Sequence, residues 1–365
     1  KVEIRQSSNV KKIINKKNNV NITFEDINSK KIFNIKSKYL IGCDGANSIT
    51  RSQMKTKMNN LGFTQKWAVI DLILNKNKKS LPDRTIQYSN PTRPATYCRN
   101  VGKRRRWEFA IKKTEKIETI LSEKYIWNFL KPWLNKKEAR MERKTIYTFQ
   151  SALAKSWKKG RIFLAGDAAH LMPPFMGQGM CAGIRDVSNL AWKISHCLKK
   201  KHDDKLLNTY QSERSSNVKE YIETTMRMGE FVNAVGKSPI TNNISADSKG
   251  RKSMKSIKPR LGHGLGDLKD KFRGKIFPQF IIKKNKKLDE KFSLKPALII
   301  SDEIKKNISS KIKLIKSKNI KNLELFFKEH NCKAVIVRPD RFILSSCTSV
   351  KNFNSYLNKN LSLLA

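Results

Sequence analysis

The run RIFLAGDAAHLMPPFMGQGMCAGIRD, Arg161 to Asp186, constrains this chain more than any other stretch. Its apolar start predicts a short buried strand that ends on Gly166-Asp167. Pro173 and Pro174 stiffen the loop that follows without adding donors. Gly177-Gln178-Gly179 then opens a helix, whose free N–H groups favour negative charge. Asp167 stands where a carboxylate can accept from a polyol hydroxyl. Ala182 and Gly183 are small enough for the helix to pack closely on a neighbour. The plain alternative is a Gly-rich turn before a buried helix. Strand, Gly-Asp, Pro-Pro and Gly-x-Gly in one run speak against it.

A second run, GCDGANSITR from Gly42 to Arg51, has related logic. The apolar strand Tyr39 to Cys43 delivers an acid, Asp44, and a glycine, Gly45, that lets backbone approach a ligand. Arg51 can pair with a pyrophosphate or brace the loop. An ordinary strand-turn-helix with an Asp N-cap explains the same residues.

The two runs together resemble the class A flavoprotein monooxygenases, with Gly42 to Arg51 as the DG motif and Gly166-Asp167 as the GD motif. The resemblance implies that Asp167 contacts the FAD ribityl chain. It implies that Pro174, Gly177, Gln178, Gly179 and Met180 cradle the isoalloxazine, with Ala168, Ala169 and His170 in the same loop. Asp44 is implied to serve both FAD and NAD(P)H, beside Gly45 and Arg51. Leu81 to Phe109, Gly274 to Phe280 and Val337 to Leu344 look like parts of 3-(3-hydroxyphenyl)propionate hydroxylases. The implied reaction uses NADH or NADPH, O2 and FAD. It hydroxylates a phenolic acid ortho to its hydroxyl through a flavin C4a-hydroperoxide, in aromatic catabolism. Hydroxylases of other phenols or polyketides share these motifs, and a degenerate, inactive flavoprotein is a further alternative.

The expected fold is mixed α/β. It has a truncated FAD-binding Rossmann-like domain, an inserted antiparallel-sheet substrate domain and a C-terminal thioredoxin-like domain. Residues 1–58 and 151–235 are assigned to flavin binding, 59–150 to the substrate sheet, 236–284 to a linker or loop, and 285–365 to the thioredoxin-like unit. Strands are expected at Val20–Phe24, Lys31–Ile35, Trp67–Leu74, Thr85–Tyr88, Ala95–Arg99, Arg106–Ile111, Pro296–Ile300, Ala334–Val337 and Phe342–Ser345. Helices are expected over residues 114–145, from Gln178 past Trp192, over 203–235, over Glu303–Leu314 and Leu323–His330, and at the end of the chain.

The family pattern begins with a βαβ unit carrying GxGxxG, which occurs nowhere in these 365 residues. Roughly a hundred residues would supply such a segment. The expectation is therefore of weak or no FAD binding by this chain and of an exposed apolar sheet edge.

Composition adds a rival of another class. Lysine and arginine number 77 against 30 acids, a formal charge of +47, which suits a nucleic-acid binder. Yet lysine is spread throughout, beside abundant Asn and Ile with A/T-rich codons. The denser clusters Lys283–Lys287 and Lys305–Lys318 have few interleaved aromatics for base stacking. No specific nucleic-acid partner and no membrane span are expected, and a homo-oligomer stays open. The six cysteines are scattered without CxxC spacing, which argues against a metal site and fits reduced thiols in the cytoplasm.

No catalytic base can be named. His170 is expected to be structural and Cys181 a small filler. Tyr88 and Tyr97 could reach a phenolic substrate from the sheet or pack in the core or rim. Of Arg104, Arg105 and Arg106, alternation sends Arg105 to the opposite face, and a solvated face is favoured over a carboxylate clamp. Arg185 and Asp186 are expected to pair within their own helix.

Overall fold

The computed structural model describes residues 2–88, 93–200, 205–234, 244–246, 252–254, 257–283, 286–291, 294–305, 312–318 and 320–361. An antiparallel meander comes first: Ser8–Asn15, Val20–Asp26 and Ile32–Ser37. Val20, Ile22 and Phe24 alternate onto one face, with Val20 and Phe24 buried. The turn forms because Asp26 Oδ1 accepts from the N–H groups of Asn28 and Ser29 at 3.1 and 2.7 Å.

Strand Leu40–Gly42 runs parallel to Ile162–Leu164, with Gly42 opposite Leu164. Both strands therefore end side by side. That register brings together two motifs more than a hundred residues apart in the chain. Phe163, Leu164 and Trp157 are buried beneath them, with Tyr210 donating to the Leu164 carbonyl at 2.8 Å.

The largest sheet is antiparallel, in the order His170–Leu171, Ala139–Ala154, Met58–Leu74, Arg104–Ala110, Ala95–Cys98, Ile86–Tyr88. Ala68, Ile70, Leu72, Tyr97, Trp107 and Phe109 form its inner face. They are covered by Ile120, Ile126, Leu130 and Leu134. The two-residue strand His170–Leu171 stitches the Gly-rich loop onto this sheet.

Helices occupy only part of 114–145, at Ile117–Ile120 and Glu123–Leu130, and the strand Ala139–Ala154 follows. The exposed Arg140, Glu142 and Lys144 hide its alternation. What makes it a strand is the long partner Met58–Leu74, with which it pairs along nearly its whole length.

Helices Gly179–Lys200 and Lys205–Ala234 pack against each other below the motif loops. The C-terminal unit is a four-stranded mixed sheet in the order Lys313–Lys316, Ala297–Ile300, Ala334–Val337, Ile343–Cys347. Its first pair is parallel and the others antiparallel, with helices Lys321–Glu329 and Phe353–Leu361. Ala297 and Ile299 enter one core while Leu298 and Ile300 enter another, so the strand is apolar throughout. The helix expected over Glu303–Leu314 is not formed at its described end. Lys313–Lys316 is a strand, placed by its parallel pairing with Ala297–Ile300, and residues 306–311 lie outside the described residues.

Residues 257–280 are irregular but packed. Leu261, Phe272 and Phe277 are buried, and Arg273 bonds the carbonyls of Leu261, Gly262 and Leu265. Residues 247–251 and most of the rest of 235–256 lie outside the described residues. Among the described residues, no helix is long and apolar enough to cross a membrane.

Candidate cofactor groove

The paired strand ends open into a cleft of about 360 Å³ lined by Cys43, Gly45, Ala165, Gly166, Asp167, Met180, Gly183, Ile184 and Val187. Four of the expected site residues thus meet: Gly45, Gly166, Asp167 and Met180. Asp167 is exposed, and Met180 is 76% exposed. The unforeseen lining residues Gly183, Ile184 and Val187 fall with Met180 on one helix face. Their i, i+3, i+4, i+7 spacing is the signal that would have found them.

Local conformation explains the glycines. Gly45, Gly166 and Gly177 have φ of 76°, 61° and 61°, the region that favours glycine. A Cβ on Gly183 would stand 3.3 Å from Gly166 Cα, tighter than an ordinary side-chain contact, so strand end and helix approach closely where Gly183 has no side chain. At Gly45 and Gly177 the space a side chain would fill is open.

Other expected residues build the walls rather than line them. Asp44 turns into its own loop, accepting from Ser48 Oγ at 2.5 Å and from Thr50 N–H at 2.8 Å. Partial desolvation opposes its charge, but those hydrogen bonds prevail and hold its pKa below the usual carboxylate range. Ser48 caps the following helix, accepting from Arg51 N–H. Arg51 braces the two motifs together, donating to the carbonyls of Ala168 at 3.0 Å and Ala46 at 2.6 Å. Ala168 and Ala169 are buried in the core. Gln178 accepts from Arg185 at 3.1 Å. Burial and the neighbouring Asp44 carboxylate push the Cys43 thiol up, so it is not poised as a thiolate.

His170 is buried, 2.6 Å from Asp186 through Nε2. Its Nε2 thus faces a buried side-chain carboxylate. Asp186 departs from expectation: its partners lie on other elements. Its Oδ1 accepts from Arg214 at 2.8 Å, and its Oδ2 accepts from the Gly166 N–H at 3.0 Å. Burial opposes the Asp186 charge, yet His170 and Arg214 outweigh it and lower the pKa. A fully buried carboxylate thus pins the loop backbone at its turn.

On the sheet, Tyr97 donates to the Pro82 carbonyl and Tyr88 accepts from Trp133, so both tyrosines are used in packing. Arg105 lies opposite its neighbours and bonds the carbonyls of Arg99, Gly102 and Arg104. Arg104 pairs with Glu142, while Arg106 and Arg143 share Asp71 at 2.7 and 2.9 Å. Cys181 is half-buried. Among the described residues, no group of His, Cys, Asp and Glu is placed to hold a metal.

Parallel strand ends, a Gly-rich loop and a helix start converging on one cleft form the construction that holds a dinucleotide cofactor. Residues 1–225 match the family described as "FAD binding domain", and the chain belongs to that family. It is 34% identical over 253 residues to the "Probable NADH-specific resorcinol 4-hydroxylase" of Rhodococcus jostii (strain RHA1), covering 68% of this chain and 46% of that protein. It is 32% identical over 213 residues to the 3-(3-hydroxy-phenyl)propionate/3-hydroxycinnamic acid hydroxylase of Mycolicibacterium smegmatis, covering 58% and 36%. The chain spans less than half the length of these relatives. The crystal structure of the flavin-dependent monooxygenase PieE in complex with FAD and substrate shares the fold, with a TM-score of 0.74 at 14% identity over 98% of this chain and 75% of that one.

Proposed function

We propose that this chain forms the flavin-holding and substrate-binding part of an NADH-dependent phenol hydroxylase. The observation that carries the reading is the joint between groove and sheet. Phe175, in the loop between the GD motif and the helix start, packs edge-on against Phe63 at 5.8 Å and Trp67 at 5.6 Å. Trp67 in turn meets Phe149, which stacks with Tyr147. The loop that follows the GD motif and an aromatic patch on the sheet are therefore parts of one packed unit.

Residues 1–58 and 151–235 are the flavin-binding parts in this reading, and 59–150 the substrate sheet. Gly45, Gly166, Asp167, Met180 and Gly183 would hold the FAD, with Pro174, Gly177, Gln178 and Gly179 shaping the approach. Flavin reduced by nicotinamide supplies the oxygen-activating chemistry when bound. The chain's own part is to orient and to exclude water. The start of helix Gly179–Lys200 presents a fixed positive potential, and Phe63, Trp67, Phe149 and Phe175 keep the ring's surroundings dry. The substrate class is a phenol of the 3-(3-hydroxyphenyl)propionate or resorcinol type. Arg106 and Arg143 share one firmly ionised partner, Asp71, while burial raises the pKa of the adjacent Glu108. This face thus tends toward positive charge, which suits an anionic phenolic acid.

The test supplies FAD in excess and follows flavin fluorescence. Weak but saturable binding that falls at least about tenfold further in Gly183→Trp is expected, since the indole would fill the groove. Equal binding by both proteins would remove the groove from consideration. NADH oxidation stimulated by either phenol, with a product heavier by one oxygen, supports the hydroxylase. Oxidation yielding only peroxide with both would overturn the substrate class.

A further inference from the structure

A second cleft, of about 560 Å³, lies between helix Gly179–Lys200 and the C-terminal unit, away from the groove. One wall is a single helical stripe, Ser188, Ala191, Trp192, Ser195, His196 and Lys199, at spacings of three and four. The other wall comes from the segment before strand Ala297–Ile300, with Lys295 and Pro296, and from the turn Pro339–Arg341. Its size falls in the range of small-molecule sites, roughly 300–1,000 Å³.

The lining combines the apolar Ala191, Trp192, Leu294, Pro296 and Pro339 with the cations Lys199, Lys295 and Arg341. Trp192 is fixed there, its indole N–H donating to Asp340 Oδ2 at 3.2 Å. Asp340 is the acid of the lining, and it is already committed to Arg338 at 2.6 Å and to Asn189 at 3.1 Å. Arg341 is paired with Asp289. Among the described residues, neither Lys199 nor Lys295 has an ion-pair partner, and both are exposed.

We propose that this cleft binds a flat apolar anion of arylalkanoate type, its ring against Trp192, Pro296 and Pro339 and its carboxylate between Lys199 and Lys295. The proposal does not depend on the hydroxylase reading. A ligand there touches both the helix and the C-terminal unit. The same helix lines the groove with Met180, Gly183, Ile184 and Val187 and the cleft with Ser188, Ala191, Trp192, Ser195, His196 and Lys199.

Equilibrium dialysis of the chain with 3-phenylpropionate tests this, with 3-phenylpropan-1-ol as the neutral comparison. Because the whole molecule is strongly basic, the control must change charge equally elsewhere. Lys199→Glu with Lys295→Glu should weaken saturable binding by about tenfold, and Lys30→Glu with Lys31→Glu, exposed in the N-terminal meander that contributes no residue to the cleft, by less than about twofold in a screened field. Ala191→Trp, at an exposed position on the stripe, should block binding by filling the cleft. Gly183→Trp, in the groove, should leave it unchanged. Equal loss from both lysine pairs, equal binding of the alcohol, loss with Gly183→Trp or indifference to Ala191→Trp would each overturn the proposal.

Discussion

Glu213 and Arg214 are neighbours on helix Lys205–Ala234, and they secure two different parts of the molecule. Arg214 serves the groove. With His170 it holds Asp186, which accepts from the Gly166 N–H and so fixes the backbone of one loop. Glu213 serves the C-terminal unit. It takes two hydrogen bonds from Arg338 at 2.8 Å each, one from Lys193 at 2.8 Å and one from Asn189 at 2.9 Å. A further one comes from the Leu265 N–H at 2.9 Å. Both acids are wholly buried. The first network sets the shape of a loop within a single core. The second joins two units that have separate cores, and it depends on a residue 125 positions away. A buried ion network is weak evidence for net stability, but removing its shared acid leaves cations stranded. The two acids should therefore fail differently.

Glu213→Leu should give the largest effect. It leaves Arg338 with Asp340 alone and deprives Lys193 of its charge partner, at a cost of about 3–5 kcal/mol for breaking a buried pair. Urea denaturation of wild type and variant checks this. A loss below about 1 kcal/mol would mean that the C-terminal unit is held by apolar contacts instead.

Asp186→Asn comes next, at about 2–3 kcal/mol near neutral pH, the range for hydrogen bonds to a charged group. Its pH dependence is the sharper observable. The folded pKa of Asp186 lies below its ordinary value of 3.8. Its contribution is thus complete above the unfolded pKa and lost as pH falls through the folded one. The gap between wild type and variant should close as pH falls through and below the ordinary carboxylate value of 3.8. A gap that persists undiminished at lower pH would contradict the assignment.

Gly183→Val should cost about 1–2 kcal/mol through overpacking against Gly166. Here the comparison turns on function: the groove variant should lose FAD affinity out of proportion to stability, whereas Glu213→Leu should lose both together. Parallel losses in both variants would erase the distinction between loop-shaping and unit-joining networks.

The same contrast explains which parts were legible in the sequence. The groove announces itself locally. Gly45, Gly166 and Gly177 sit where the chain needs positive φ, and Met180, Gly183, Ile184 and Val187 follow helical spacing. Short-range chemistry dictates those features. Strand Ala139–Ala154 was not legible because its exposed charged side chains mask the apolar alternation and its partner strand decides the matter. Lys313–Lys316 was likewise settled by its neighbour. The ion networks were hidden for a simpler reason. In a chain with 77 basic residues, nothing local marks Arg214 or Arg338 as the buried ones. Asp186 could be seen in the motif but not the Arg214 it binds.

Lys193 gives the smallest expected effect and the finest test of the comparison. It is fully buried beside Glu213, and desolvation outweighs that carboxylate, lowering its pKa to about 8. Arg338 keeps Glu213 satisfied through two bonds whether or not the lysine is charged. Lys193→Met should therefore change stability by less than about 1 kcal/mol at pH 7, since an apolar replacement removes a costly desolvation along with the attraction. The unfolded lysine holds its proton to a higher pH than the folded one. Wild type should thus gain stability relative to the methionine variant as pH rises from about 8 toward the ordinary lysine value of 10.5. If Lys193→Met proved as damaging as Glu213→Leu, the network would be balanced on the lysine. The junction would then depend on total charge rather than on the two-pronged grip of Arg338.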